Sequence, residues 1–328
     1  MSNAEKPCFG NCAVCESCAP HIDPPPSPTE NPVDYTIRRL QNDTGEAVMT
    51  AYDVFPGVRL IYNELHMQRC VMEKTPPNIV EIHHCREGRI EYKTGRGEYQ
   101  YIGTGDLAIQ RKLPFTAATF PLSHYQGITI SIDLNKAPHC LSCIMDDVSL
   151  DLHALFRRFC HDSEYTVIRS DPAFSHIFSE LYSVPENIRK GYFKLKILEL
   201  LLFLSGMTPE QLGKTRQYFS KPYIDKVKAI KLFLAEHSAE HITLDELSAR
   251  FDIPLTAMKA CFKEVYGTSV YAYIRHYKMQ KAGWMLRHTD KNVLEIAGEV
   301  GYGNGSKFAK AFSDVMGCTP SAYRNLSD

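Results

Sequence analysis

Between Ile242 and Thr319 apolar residues recur at helical spacing in two similar blocks. The first, ITLDELSARFDIPLTAMKACFKEVYG, puts Leu244, Leu247 and Phe251 on one face of a short helix and Met258, Phe262 and Val265 on one face of a second. Asp252-Ile253-Pro254 turns the chain between them. Proline suits the start of the second helix, where a missing N–H leaves nothing unpaired, and Gly267 ends it. The second block, VLEIAGEVGYGNGSKFAKAFSDVMG, repeats the scheme. Val293, Ile296 and Ala297 face inward, Gly301-Tyr302-Gly303-Asn304 turns, and Phe308, Phe312 and Val315 anchor the next helix. Ser269–His288 reads as one connecting helix with Tyr273, Ile274, Met279, Ala282 and Leu286 packed, and with the single tryptophan, Trp284, in the core.

Two such units in tandem carry more information than one. A single helix-turn-helix pattern occurs in many all-α proteins, whereas two on a rigid spacer fit successive major grooves about 34 Å apart. The positions left facing outward are Thr256, Lys259, Ala260 and Lys263 in the first block. In the second they are Ser306, Lys307 and Lys310, with Asn304 at the turn. Short polar and lysine side chains there suit phosphate contacts or guanine edges. Double-stranded DNA carrying promoter half-sites is the expected partner.

Upstream the rhythm changes. Residues 35–135 alternate in short β-branched runs (NIVEIHHC, RIEYKT, EYQYIG, YQGITISIDL) broken by turn signals, as in an antiparallel sandwich or small barrel. Residues 151–205 turn helical, with breaks at Asp171-Pro172 and Val184-Pro185. Within them Tyr192–Leu204 sets Leu195, Leu198 and Leu202 on one stripe, widened by Ile197, Leu201 and Leu204. The expected organisation is a tail over 1–34, a β-rich domain over 35–150, a helical region over 151–205, a polar linker over 206–220 and an all-α domain over 221–328. The fold class is α+β.

Charge adds one asymmetry. The 328-residue chain has a net charge of −1, yet residues 221–328 hold 15 Lys and Arg against 12 Asp and Glu, while the remainder holds 22 against 26. The positive balance lies with the helix-turn-helix pattern but is modest, so pattern carries the inference. No run reaches the ~18 apolar residues of a membrane span, and the amino terminus lacks the hydrophobic core of a signal peptide. A cytoplasmic protein with no membrane partner is expected.

Eleven cysteines are many for a reducing compartment. Cys8, Cys12, Cys15 and Cys18 supply four soft ligands in eleven residues, ahead of the proline-rich PHIDPPPSPTENP. That set suits zinc or an iron–sulfur cluster, with His139, Cys140 and Cys143 as further ligands if the tail folds back. The alternative is a tail of reduced thiols. In the β-rich segment adjacent His83 and His84 point to opposite faces of a strand, which removes the H-x-H chelate of a metal-dependent enzyme. His83 is expected in a pocket with Glu81, Cys85, Tyr92 and Tyr101, the other histidine on the surface.

The segment carrying KMQKAGWML, VLEIAGEVGY and KFAKAFSDVMGCTPSAYR resembles the DNA-binding domain of the AraC/XylS family of transcription regulators over about 105 residues. The resemblance implies that Thr256, Lys259 and Ala260 face the groove from the first reading helix and Ser306, Lys307 and Lys310 from the second. Ala260 stands where the family commonly has arginine, and Gly283 falls mid-helix, where glycine costs about 1 kcal/mol relative to alanine. VEIHHCREGRIEY, GTGDLAI, FPLSHYQGITISIDL and VPENIRKGYFKLKILELLLFLS are similar to the subset that includes the pyochelin-siderophore activator. That likeness implies a cupin-like effector domain binding a small molecule or metal chelate, helices that form a homodimer, RNA polymerase as partner of an activator, and no catalysis. Two other readings are a metal or redox sensor acting through the tail cysteines and a DNA-alkylation-repair methyl acceptor. The latter needs widely spaced cysteines in a folded zinc module, and methyl uptake from alkylated DNA would reveal it.

Overall fold

The computed structural model describes residues 35–71, 78–93, 99–111, 117–138, 150–160, 165–208, 219–240 and 242–325. The chain divides into two compact units at residues 217/218.

The first unit is built on an antiparallel sheet. Strands β1 (Tyr35–Asn42), β2 (Gly45–Phe55), β3 (Val58–His66), β4 (Arg69–Val71), β5 (Ile79–Lys93), β6 (Tyr99–Gly103), β7 (Leu107–Arg111), β8 (Ala117–Thr119), β9 (Tyr125–Asp133) and β10 (Tyr165–Ile168) follow in chain order. Across the sheet the order is β1-β2-β3-β9-β5-β7-β10, with β6 beside β5 and with β8 between β4 and β5. The long β5 carries a bulge between Cys85 and Glu87, which lets a 15-residue strand change direction and serve two sets of partners.

Alternation decides what each sheet face covers. Val80 and Ile82 of β5 align with Ile132 and Ile130 of β9 and join Leu60, Leu107, Ile109 and Ile128 in one buried cluster. Helices α1 (Leu152–Phe159), α2 (Pro172–Leu181) and α3 (Arg189–Gly206) complete that cluster with Phe156, Phe178, Phe193, Ile197, Leu201 and Leu204. Asp151 caps α1 by accepting from His153 and Ala154 N–H, and Asp171 caps α2 ahead of Pro172. The opposite face forms a second cluster with Leu65, Met67, Cys85, Ile90, Tyr92, Ile102, Phe120 and Tyr125.

Two expectations are corrected here. Residues 151–205 are not wholly helical, because the β-branched run YTVI forms β10 on the edge of β7. The stripe assigned to α3 is also divided. Ile197, Leu198, Leu201 and Leu204 are buried, but Leu195 is 65% exposed and Leu202 40%, with Phe203 exposed beside them. Apolar residues nearly encircle this helix, so periodicity alone does not choose the face that meets the sheet.

The second unit is all-α. It comprises α4 (Lys221–Glu236), α5 (Leu244–Arg250), α6 (Leu255–Tyr266), α7 (Val270–His288), α8 (Val293–Glu299), α9 (Gly305–Met316) and α10 (Pro320–Arg324).

Candidate functional site

The α5–α6 and α8–α9 pairs repeat each other in fine detail. Each begins on a capping box: Thr243 Oγ1 accepts from Glu246 N–H while Glu246 accepts from Thr243 N–H, and Asn292 and Glu295 do the same. Each turn has one residue at positive φ, Asp252 at 47° and Gly301 at 79°. Each second helix runs twelve residues and ends on a left-handed glycine, Gly267 or Gly317. Ser269 and Thr319 then cap the helices that follow. Identical local instructions, about fifty residues apart, thus produce two copies of one motif.

Packing leaves the expected faces open. Met258, Phe262 and Val265 of α6 and Phe308 and Phe312 of α9 are buried. Thr256, Lys259 and Lys263 are exposed and Ala260 is half-buried; Ser306, Lys307 and Lys310 are exposed. Asn304 is exposed too, but its side chain accepts from Lys307 N–H at 2.9 Å and caps α9. It holds the helix end rather than reaching outward. Each second helix therefore presents lysines and short hydroxyl side chains, a surface able to meet phosphate oxygens and base edges. Cys261, on the inner side of α6, has its thiol pushed up to about 12 by burial, so it is a packing group and not a reactive one.

The connector differs from expectation at two residues. Trp284 is not in the core: it is 59% exposed, with its ring stacked 4.9 Å from that of His288 one turn on. Gly283 is a close-packing position. A Cβ there would stand 3.2 Å from Met316 Cε and Tyr323 Cε1, so glycine lets α9 and α10 lie against α7. The turn after α4 meets both the connector and the second motif. Lys281 donates to Ser238 Oγ at 3.0 Å, and Gly301 lies so close to the Ala239 carbonyl that a Cβ would be 2.4 Å from its oxygen. Arg275 of α7 pairs with Asp314 of α9.

In the first unit, Glu81, His83, Cys85 and Tyr92 share the inner face of β5, and the His83 and Tyr92 rings lie 6.4 Å apart. Tyr101 is directed elsewhere: its hydroxyl donates to Glu91 at 2.6 Å, and Glu91 alternates with Tyr92 on β5. His84 is not at the surface. It is buried on the other face, its ring parallel to Phe178 at 4.3 Å, and burial pushes it down to about 4. Cys85 is a fully buried thiol pushed up to about 12 by desolvation, with the Asp106 charge adding to it.

Sequence reading missed the partners of His83. Thr129 lies opposite it on β9, with Oγ1 2.9 Å from Nδ1. Gln110 of β7 approaches Nε2 at 2.8 Å and Glu81 at 3.4 Å. Asn63 of β3 donates to Thr129 Oγ1 at 2.9 Å. Glu81 Oε2 also lies 3.3 Å from His83 Nε2, so both ring nitrogens of His83 face polar partners. Gln100 is buried on β6, two residues before Ile102, and neither of its amide atoms has a partner among the described residues. The available signal was polar residues at inward positions of otherwise apolar strands, as in LAIQR and ITISID.

Cys8, Cys12, Cys15 and Cys18, like His139, Cys140 and Cys143, lie outside the described residues. No helix among the described residues is long and apolar enough to cross a membrane.

Residues 247–326 match the family model described as a helix-turn-helix domain. The chain is 32% identical over 136 residues to the HTH-type transcriptional regulator ExsA of Pseudomonas aeruginosa, covering 41% of this chain and 48% of that one. It is 36% identical over 105 residues to the uncharacterized HTH-type transcriptional regulator YdiP of Escherichia coli, covering 31% and 35%. Among solved structures, the C-terminal domain of the response regulator AraT of Geobacillus stearothermophilus is 25% identical, with a TM-score of 0.30 over 31% of this chain and 88% of that one. The chain spans about a third to a half of the length of these curated relatives. Residues 247–326 form a helix-turn-helix domain, and over that stretch the chain is similar to transcriptional regulators.

Proposed function

We propose that this chain is a sequence-specific DNA-binding transcriptional regulator of the AraC/XylS kind, acting as an activator under control of a small molecule or metal chelate held in a cupin-like N-terminal domain. The observation that carries the reading is the duplicated motif, whose two second helices expose Thr256, Lys259 and Lys263 and Ser306, Lys307 and Lys310. A motif repeated with the same caps and turn fits two successive grooves. The effector reading draws on the inner face of the sheet, where Glu81, His83, Gln110, Thr129 and Asn63 form a buried polar row among apolar residues. Its place close to the pyochelin-activator subset rests on the sequence resemblance.

The homodimer reading draws on α3, whose outward side carries Leu195, Leu202 and Phe203. An open groove of about 920 Å³ at its start is lined by Tyr35, Tyr52, Ile188 and Phe193. Metal or redox sensing through Cys8, Cys12, Cys15 and Cys18 would add a second input. RNA polymerase is the partner an activator requires.

Selection of the full-length chain against random duplexes tests the reading. Enrichment of two half-sites about one helical turn apart is expected. A chain that retains no sequence preference and protects no DNA upstream of its own gene overturns it.

A further inference from the structure

On the outward face at one end of the sheet, three neighbouring strands bring two imidazoles and two carboxylates together. His66 ends β3, and His124 immediately precedes β9, one step beyond the Leu65–Tyr125 pair that aligns the two strands. Their rings lie 5.1 Å apart at 32°. Glu64 lies two residues before His66 on the same face, and its Oε1 is 3.5 Å from His66 Nε2. Glu87, beside the β5 bulge, has Oε2 3.5 Å from His124 Nε2. Gln126 pairs in register with both Glu64 and Glu87 and so sits between the two carboxylates.

These spacings are too long for good hydrogen bonds, whose N···O distance is about 2.7–3.2 Å. They match the edges of a coordination tetrahedron: ligand atoms ~2.0–2.2 Å from a zinc ion stand about 3.3–3.5 Å from one another. Two imidazoles bound through nitrogen in that geometry put their ring centres roughly 5 Å apart. Two carboxylates balance a divalent charge. Arg86 is a competing cation, with Nε 3.9 Å from Glu87 Oε1, but its guanidinium is laid over the Tyr182 ring.

The backbone on which the imidazoles stand is fixed. Gly45, at φ 141°, lies against the His66 carbonyl and Gly88, at φ 83°, against the His124 carbonyl, each so closely that a Cβ would overlap the oxygen. The side chains themselves are exposed or half-exposed and free to close. Among the described residues no three such groups are already placed to hold an ion, so binding requires the two His–Glu pairs to turn towards each other.

We propose that His66, His124, Glu64 and Glu87 bind a divalent transition-metal ion with nitrogen and oxygen ligands, zinc being the ion whose geometry fits best. The ligand set includes none of the amino-terminal cysteines and none of the residues around His83. Both rings ligate as neutral imidazoles, so protons compete with the ion for them.

Cobalt titration of the full-length chain tests this, because cobalt takes the same ligands and reports them in its absorption. In the chain with Cys8, Cys12, Cys15 and Cys18 changed to serine, one equivalent is expected to give the visible bands of a tetrahedral nitrogen–oxygen site. The signal should vanish when His66→Ala/His124→Ala is added. Glu64→Gln, which leaves both rings in place on an exposed side chain, should weaken binding at least ~10-fold. Unchanged stoichiometry and affinity in the double-histidine variant, or bands that disappear with the cysteines, would overturn the assignment.

Discussion

His84 shows how one ring can make stability depend on pH. It lies flat against Phe178, and both of its nitrogens are buried without a partner among the described residues. Burial pushes it down to about 4, whereas the unfolded chain protonates it near pH 6.5. Between those values the unfolded state holds a proton that the folded state does not, so this contribution is complete above pH 6.5 and is lost as pH falls towards 4. The loss between pH 7 and pH 5 is about 2 kcal/mol. Urea titrations at the two pH values should show that difference, and His84→Leu should flatten it. Gln100 offers a second test at this scale. Its buried amide makes no bond among the described residues, so Gln100→Met should raise stability by about 1 kcal/mol in the protein without effector. A melting temperature that falls instead would indicate a partner for the amide.

At the scale of elements, turns and caps were more legible in the sequence than faces. Pro254, Gly267 and the Asn304 turn marked boundaries correctly because their chemistry is local: a missing N–H, a left-handed φ, a side-chain acceptor. The inner residues of α6 and α9 were equally readable, since each helix has one apolar stripe. The α3 helix was not, because leucine and phenylalanine occur nearly all round it. Trp284 was misplaced since its size favours burial, yet the packed side of α7 was already filled by Met279, Ala282 and Leu286. Asn63, Gln110 and Thr129 stayed hidden because cross-strand register, set by long-range pairing, makes them neighbours of His83. Gly301 supplies the prediction that belongs here. Its φ of 79° and the nearby Ala239 oxygen oppose any side chain. Gly301→Ala should cost more than about 1–2 kcal/mol, read as a lowered melting temperature, whereas Gly298→Ala, with nothing near its Cβ, should not.

Across the whole molecule, the proposed activity joins a reading surface to a pairing surface. Lys307→Ala/Lys310→Ala should weaken duplex binding and lower the salt slope by up to about 2, one for each phosphate that a lysine neutralises. A slope equal to that of the parent would show that these lysines neutralise none. Leu195→Asp/Phe203→Asp alters only exposed positions of α3 and should leave thermal stability within about 0.5 kcal/mol of the parent while converting dimers to monomers in sedimentation. Leu198 is unsuited to that test: it is buried with the sheet-facing residues, so a charge there would break the core.

The hydrogen bond from Lys281 to Ser238 ties the turn after α4 to α7, and Gly301 brings the turn of the second motif against the Ala239 carbonyl. Contacts of this kind oppose a swivel of the two motifs about α7. One inserted base pair turns a duplex by about 34° and lengthens it by about 3.4 Å, a step that a hinged reader could follow and a clasped one could not. Operators for this chain should therefore tolerate changes of letter inside each half far better than a single added or missing pair between the halves.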